Sequence, residues 1–129
     1  MGGLHGCVLV ALQAHASPRL YCQIEQGYQT QVHEASPAQN PYTFQPVDVR
    51  NRFRFKAVVV GDAQRVDYVK LYTYYYLRGQ AVLLHMVHYP SPSVSKDAEP
   101  GLLTGLQRVY SPQLGFEMQY QCSLREAIP

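Results

Sequence analysis

Alternating apolar and polar residues occupy most of the chain, and this period of two predicts β-strands. The pattern is clearest in residues 116–123, where every second position is apolar or cysteine. Residues 20–26 repeat it, and residues 28–33 are predicted to continue that strand after a bulge at Gly27. Further strands are predicted at residues 50–60, 66–77, 81–89 and 106–110.

Prolines and glycines mark the connections between these strands. Two proline-containing stretches, residues 34–48 and 90–105, predict long loops. Short strands separated by turns are typical of sandwiches and barrels. We therefore expect an all-β fold, an antiparallel β-sandwich that is immunoglobulin-like or related, with two long Pro-rich loops. The Cys–Trp–Cys signature of immunoglobulin domains is missing, because the chain has no Trp.

Residues 1–16 have features of a secretory leader. An apolar run at residues 7–12 is followed by Ala14-His15-Ala16, the small-x-small pattern that signal peptidase cleaves. No Lys or Arg precedes the run, so we expect the natural leader to extend further upstream. The remaining residues, 17–129, form one predicted domain that is periplasmic or secreted. The alternatives are a frayed N-terminus of a cytosolic protein and a lipoprotein modified at Cys7.

Cys22 and Cys122 lie near the two ends of the predicted domain, and each shares a strand face with apolar neighbours. In an exported protein this arrangement predicts a disulfide between the first and last strands. Closing a loop of about 100 residues stabilises a fold by roughly 4–5 kcal/mol in the chain-entropy model. The alternative is a pair of buried free thiols.

Composition limits the classes of function. The 129 residues suit one domain, and the net charge of +2 is too small to indicate a nucleic-acid-binding protein. The longest apolar run is shorter than the ~20 residues of a transmembrane helix. The aromatic content is unusual, with eleven Tyr, four Phe and no Trp. Tyrosine suits strands, where one end of the ring is buried and the other meets water.

Cations and tyrosines form the most distinctive pattern. One face of the predicted strand 50–60 carries Arg50, Arg52, Arg54 and Lys56. One face of the strand 66–77 carries Lys70 and the tyrosines Tyr68, Tyr72, Tyr74 and Tyr76. Since arginine binds anions and tyrosine stacks on rings, a surface formed by both sets predicts a ligand-binding face. The alternative is a solvated face whose rings and cationic stems cover one another.

The register of the first hairpin decides whether this surface exists. A four-residue loop would set Arg54 opposite Leu71, on the core side. A five-residue loop, or a bulge, sets Arg54 opposite Tyr72 and Arg52 opposite Tyr74. We prefer the second register, because burying an unpaired charge costs several kcal/mol. The two strands could also belong to different sheets.

A turn at Arg78-Gly79 predicts the register of the second hairpin. It pairs Tyr74 with Leu83 and Tyr72 with His85, and it places His85 and His88 on opposite faces.

Known catalytic motifs are missing from the sequence, including Gly-x-Ser-x-Gly, His-Glu-x-x-His and phosphate-binding glycine loops. We therefore expect a binding module without a cofactor, whose ligand is an anionic or glycan polymer of the cell envelope or an envelope protein. The alternative is a structural or assembly subunit of an envelope complex. A metal-binding protein using Met86 and Met118, or a small enzyme, ranks below both.

Overall fold

The computed structural model describes Gly3, Gly6 and residues 16–97, 99–112 and 115–127. The predicted leader therefore lies almost wholly outside the described residues. Within the described part of the chain, no helix is long and apolar enough to span a membrane. The strands are β1 (Ser17–Gln26), β2 (Gln29–Ala35), β3 (Val47–Val49), β4 (Phe53–Gly61), β5 (Val66–Leu77), β6 (Gln80–Pro90), β7 (Gln107–Tyr110) and β8 (Glu117–Ala127).

The strands form two antiparallel sheets of four strands each. The first sheet has the order β2-β1-β8-β7, and the second has the order β3-β4-β5-β6. Apart from the β1–β8 pair, neighbouring strands in each sheet are consecutive in sequence. The chain thus follows an up-and-down meander that is split between two sheets. Immunoglobulin sandwiches instead have Greek-key connections, so the strand order does not support that subtype of the predicted fold.

One hydrophobic core fills the space between the sheets. Every second residue of β1 is buried, and the same alternation holds through most of β4, β5 and β8. Phe55 of the second sheet packs on Tyr120 of the first, with ring centroids 5.0 Å apart. The largest fully buried side chains come from both sheets: Tyr120, Phe53, Phe55, Leu20, Ile24, Leu71, Met118 and Leu124.

The predicted disulfide between Cys22 and Cys122 is confirmed. The two residues are directly opposite each other in the β1–β8 pair, with Cα atoms 4.1 Å apart, and both are fully buried. The N–H of Cys122 points away from β1 and donates to Thr104 Oγ1 at 2.9 Å. The bond therefore joins neighbouring strands of one sheet, whereas the immunoglobulin disulfide connects two sheets.

Two predicted strands differ from the structure because the chain turns inside them. At Gly27, φ is +66°, and the chain reverses there into β2, which pairs antiparallel with β1 rather than continuing it. At Arg50 and Asn51 both φ angles are positive, and the N–H of Arg52 donates to the Val49 carbonyl at 3.2 Å. These residues form a tight turn, so the strand predicted at 50–60 begins only at Phe53.

Candidate binding face

The candidate binding face is the outer surface of the second sheet, formed by β4, β5 and β6. On β4 and β5, Arg54 pairs with Tyr74 and Lys56 pairs with Tyr72. The register shifts at Val60/Gly61, so the bulge in our preferred register is present and keeps the cations off the core. The predicted partners are wrong by two residues: Arg54 is expected opposite Tyr72 but pairs with Tyr74. Arg52, expected opposite Tyr74, precedes β4.

The cations of this face lie over tyrosine rings. The Arg54 guanidinium carbon is 4.6 Å from the Tyr76 ring centroid, and Lys56 Nζ is 4.7 Å from that of Tyr72. The Tyr72 and Tyr74 rings lie parallel within 10°, with centroids 6.2 Å apart. These distances are those of cation–π contacts, which orient the cations along the sheet surface.

Charge on this face is poorly neutralised. Within the described residues, the cations Arg54, Lys56 and Lys70 form no ion pair with a carboxylate. Asp48 of β3 pairs with Arg54 in the register, but its carboxylate accepts the N–H of Asn51 at 3.0 Å. An exposed surface with cations and few acceptors favours an anionic ligand.

The first sheet differs in its charge balance. There Arg19 is 3.8 Å from Glu34, and Arg108 is 3.7 Å from Glu117. Gln23 and Gln121 meet across β1 and β8 through a hydrogen bond of 2.9 Å. Arg19 and Arg108 of that sheet thus have carboxylate partners, and Arg125 lies over the Tyr21 ring. On the second sheet, Arg54 and Lys56 lie over rings without a carboxylate partner.

Arg50 and Arg52 lie apart from the candidate face. The Nη1 of Arg50 donates to the Gln26 carbonyl at 3.3 Å. The guanidinium of Arg52 covers the Phe116 ring, 3.9 Å from its centroid, in a cleft at one end of the two sheets. Of the seven residues predicted to form the site, the structure brings together Arg54, Lys56, Tyr72, Tyr74 and Tyr76.

Strand β6 extends the face with residues that the sequence pattern did not identify. Leu83 pairs with Tyr74 as predicted, but a register shift between Thr73 and Tyr74 leaves Leu84 as an extra residue. Met86, rather than His85, therefore lies opposite Tyr72. Leu83 and Met86 are 53% and 48% exposed, so they border the tyrosines with apolar surface.

The residues considered for metal binding are dispersed. Met118 is fully buried in the first sheet, whereas Met86 is exposed on the outer surface of the second. His85 pairs with Thr73 on the core side and His88 with Lys70 on the outer side, so their predicted opposite orientation is confirmed. The described residues contain no group of three His, Cys, Asp or Glu side chains placed to hold a metal ion.

Tyr74 on β5 has a raised pKa. Partial burial, and then the neighbouring Tyr72, raise the pKa of Tyr74 above 10. Tyr74 is therefore a neutral ring and a hydrogen-bond donor at physiological pH.

Comparison of the chain with protein-family models, curated proteins and solved structures finds no match.

Proposed function

We propose that this protein is an exported binding module that recognises an acidic glycan through the outer surface of its second sheet. Lys56, Tyr72 and Tyr74 form the centre of the site, and Arg54 and Tyr76 extend it towards the β5–β6 turn. The observation that carries the proposal is the set of cations held over tyrosine rings without a carboxylate partner.

Acidic glycans fit the chemistry of this surface. Their carboxylate or sulfate groups would accept hydrogen bonds from Arg54 and Lys56, and such charge-assisted bonds are stronger than neutral ones. Their sugar rings present C–H groups, and these groups would pack on the tyrosine rings in the way that apolar groups pack on aromatic side chains. The buried disulfide is compatible with the oxidising compartment in which such polymers occur.

The experiment compares purified disulfide-bonded protein on two immobilised polysaccharides, polygalacturonate and neutral dextran. We expect binding to polygalacturonate that weakens as salt screens the contacts, and little binding to dextran. The variant Arg54→Gln/Lys56→Gln should bind about tenfold more weakly, corresponding to roughly 1.4 kcal/mol from two exposed ionic contacts. Tyr72→Ala should also weaken binding, because it removes the ring beneath Lys56.

Arg65→Gln is the net-charge control for the single variants Arg54→Gln and Lys56→Gln. Arg65 is exposed in the β4–β5 loop, and its Nε is 3.4 Å from the Asp67 carboxylate. This substitution removes one positive charge and should leave the affinity within about twofold. Equal weakening by Arg65→Gln would show that net charge, rather than this face, drives binding. Binding to a protein partner, with neither polysaccharide retained, would overturn the glycan assignment.

A further inference from the structure

Strand β6 is a long free edge of the second sheet. It spans eleven residues, Gln80–Pro90, and has β5 on one side and no strand on the other within the described residues. Its sequence contains no Asp, Glu, Lys or Arg. Val82, Leu83 and Met86 are each between 44% and 53% exposed.

The other three sheet edges carry the charges that discourage edge pairing. Strand β2 includes Glu34, the four-residue β7 includes Arg108, and the three-residue β3 includes Asp48. Long, apolar and uncharged edges are templates for a further strand. Of the four edges, β6 is therefore the one suited to pairing.

Two backbone hydrogen bonds identify which β6 residues direct their N–H and C=O groups away from β5. The N–H of Tyr76 donates to the Arg52 carbonyl at 2.8 Å, so the Tyr76–Ala81 pair is not a hydrogen-bonded one. Backbone groups alternate along an antiparallel strand. Ala81 and then Leu83 accordingly point their N–H and C=O groups to the free side.

The same reasoning applies beyond the bulge at Leu84. The N–H of Ser91 donates to the Asp67 carbonyl at 2.8 Å, on the β5 side. Counting back by alternation, Met86 and His88 direct their backbone groups to the free side. The bulge thus moves the outward positions from odd-numbered residues before it to even-numbered residues after it.

Because of this shift at the bulge, the outward backbone groups of β6 in one copy can face the outward backbone groups of β6 in a second copy. We propose that two copies of the chain pair antiparallel through β6, about a twofold axis between Leu84 and His85. Ala81 then lies opposite His88 of the second copy, and Leu83 lies opposite Met86 of the second copy. Each outward residue meets an outward residue, as a hydrogen-bonded pair requires. Because β6 has no Asp, Glu, Lys or Arg, the two paired strands place no like charges directly opposite each other.

Other registers use less of the edge. An axis through Val82 or through Val87 would pair only the residues on one side of the bulge. The axis between Leu84 and His85 engages Ala81, Leu83, Met86 and His88 of each copy. It creates one continuous eight-stranded sheet, in which the candidate binding faces of both copies lie on the same side.

Sedimentation velocity on the disulfide-bonded protein tests the pairing, from about 1 to 500 µM. Because a two-strand contact is at the small end of interface sizes, we expect a dimer with a dissociation constant on the order of micromolar. Met86→Lys places two charges beside the paired edges and should weaken dimerisation at least about tenfold. Leu102→Lys is the control, since Leu102 has the same 48% exposure in a loop and should leave the dimer unchanged. Circular dichroism checks that both variants fold.

A spin label at His88→Cys tests the register by the distance between labels in the dimer. With a rise of about 3.4 Å per residue, the proposed axis separates the two sites by about 24 Å along the strand. An axis through Val87 gives about 7 Å, and one through Val82 gives about 41 Å. The proposal would be overturned if the protein stayed monomeric at the highest concentration or if Met86→Lys left dimerisation unchanged. A label-to-label distance that matches the axis through Val87 or through Val82 would also overturn it.

Discussion

Removing the disulfide should cost this protein a large part of its stability. The perturbation is the double variant Cys22→Ala/Cys122→Ala, which opens a loop whose ends are 100 residues apart in sequence. For that loop length the chain-entropy model gives about 4.7 kcal/mol at 25 °C. Small domains have a total unfolding free energy of about 5–15 kcal/mol. For a chain of this length, we expect the melting temperature to fall by roughly 15 °C.

Equilibrium urea unfolding measures the loss, with far-UV circular dichroism as the signal because the chain has no Trp. Wild-type protein unfolded in the presence of a reductant is the matched control, since it keeps both buried sulfur atoms while losing the bond. It should lose about as much unfolding free energy as the double variant. A loss below about 1 kcal/mol in both samples would refute the reasoning, because the bond would then add little constraint to the unfolded chain.

Three further predictions concern the core and its pH dependence. Burial lowers the pKa of His33 below 6.5, so the unfolded chain binds a proton more readily than the folded protein does. The free energy of unfolding should therefore decrease as the pH drops below 6.5. In urea unfolding between pH 7 and 5, His33→Gln should make this decrease smaller, and an unchanged decrease in the variant would contradict the role of His33. Phe55→Ala removes a fully buried ring that packs on Tyr120. The free energy of unfolding, measured in urea, should decrease by about 3–5 kcal/mol. A decrease below about 1 kcal/mol would contradict the place of Phe55 in the core. Gly61→Ala should lower the melting temperature, at a cost of about 1–3 kcal/mol, because its Cβ would meet the Val66 Cα at 2.8 Å; an unchanged melting temperature would contradict the close approach at this bulge.

Residue alternation predicted the strands and the disulfide because burial on one face of a strand follows directly from a period of two. Cys22 and Cys122 share faces with core residues in the sequence, and the structure places them opposite each other. The three-residue β3 was missed, because a strand of this length shows too little alternation to distinguish it from the surrounding Pro-rich loop.

The candidate site was predicted only in part, because backbone turns and bulges are not encoded in residue alternation. Arg50 and Arg52 continue the pattern of Arg54, yet positive φ angles at Arg50 and Asn51 turn the chain before β4 begins. Asn tolerates this conformation, which is a weak signal of the turn. The bulge at Leu84 left no signal in the sequence, so the position of Met86 beside Tyr72 required the structure.

The most direct test of the binding face is an NMR titration of the isotope-labelled protein with oligogalacturonate. We expect chemical-shift changes centred on Lys56, Tyr72 and Tyr74. Tyr21 and Arg125 are the internal control, because Arg125 lies over the Tyr21 ring at 3.9 Å on the first sheet. Saturable changes at the second sheet alone would support the account. Changes at the Tyr21–Arg125 pair instead, or none at millimolar ligand, would contradict it.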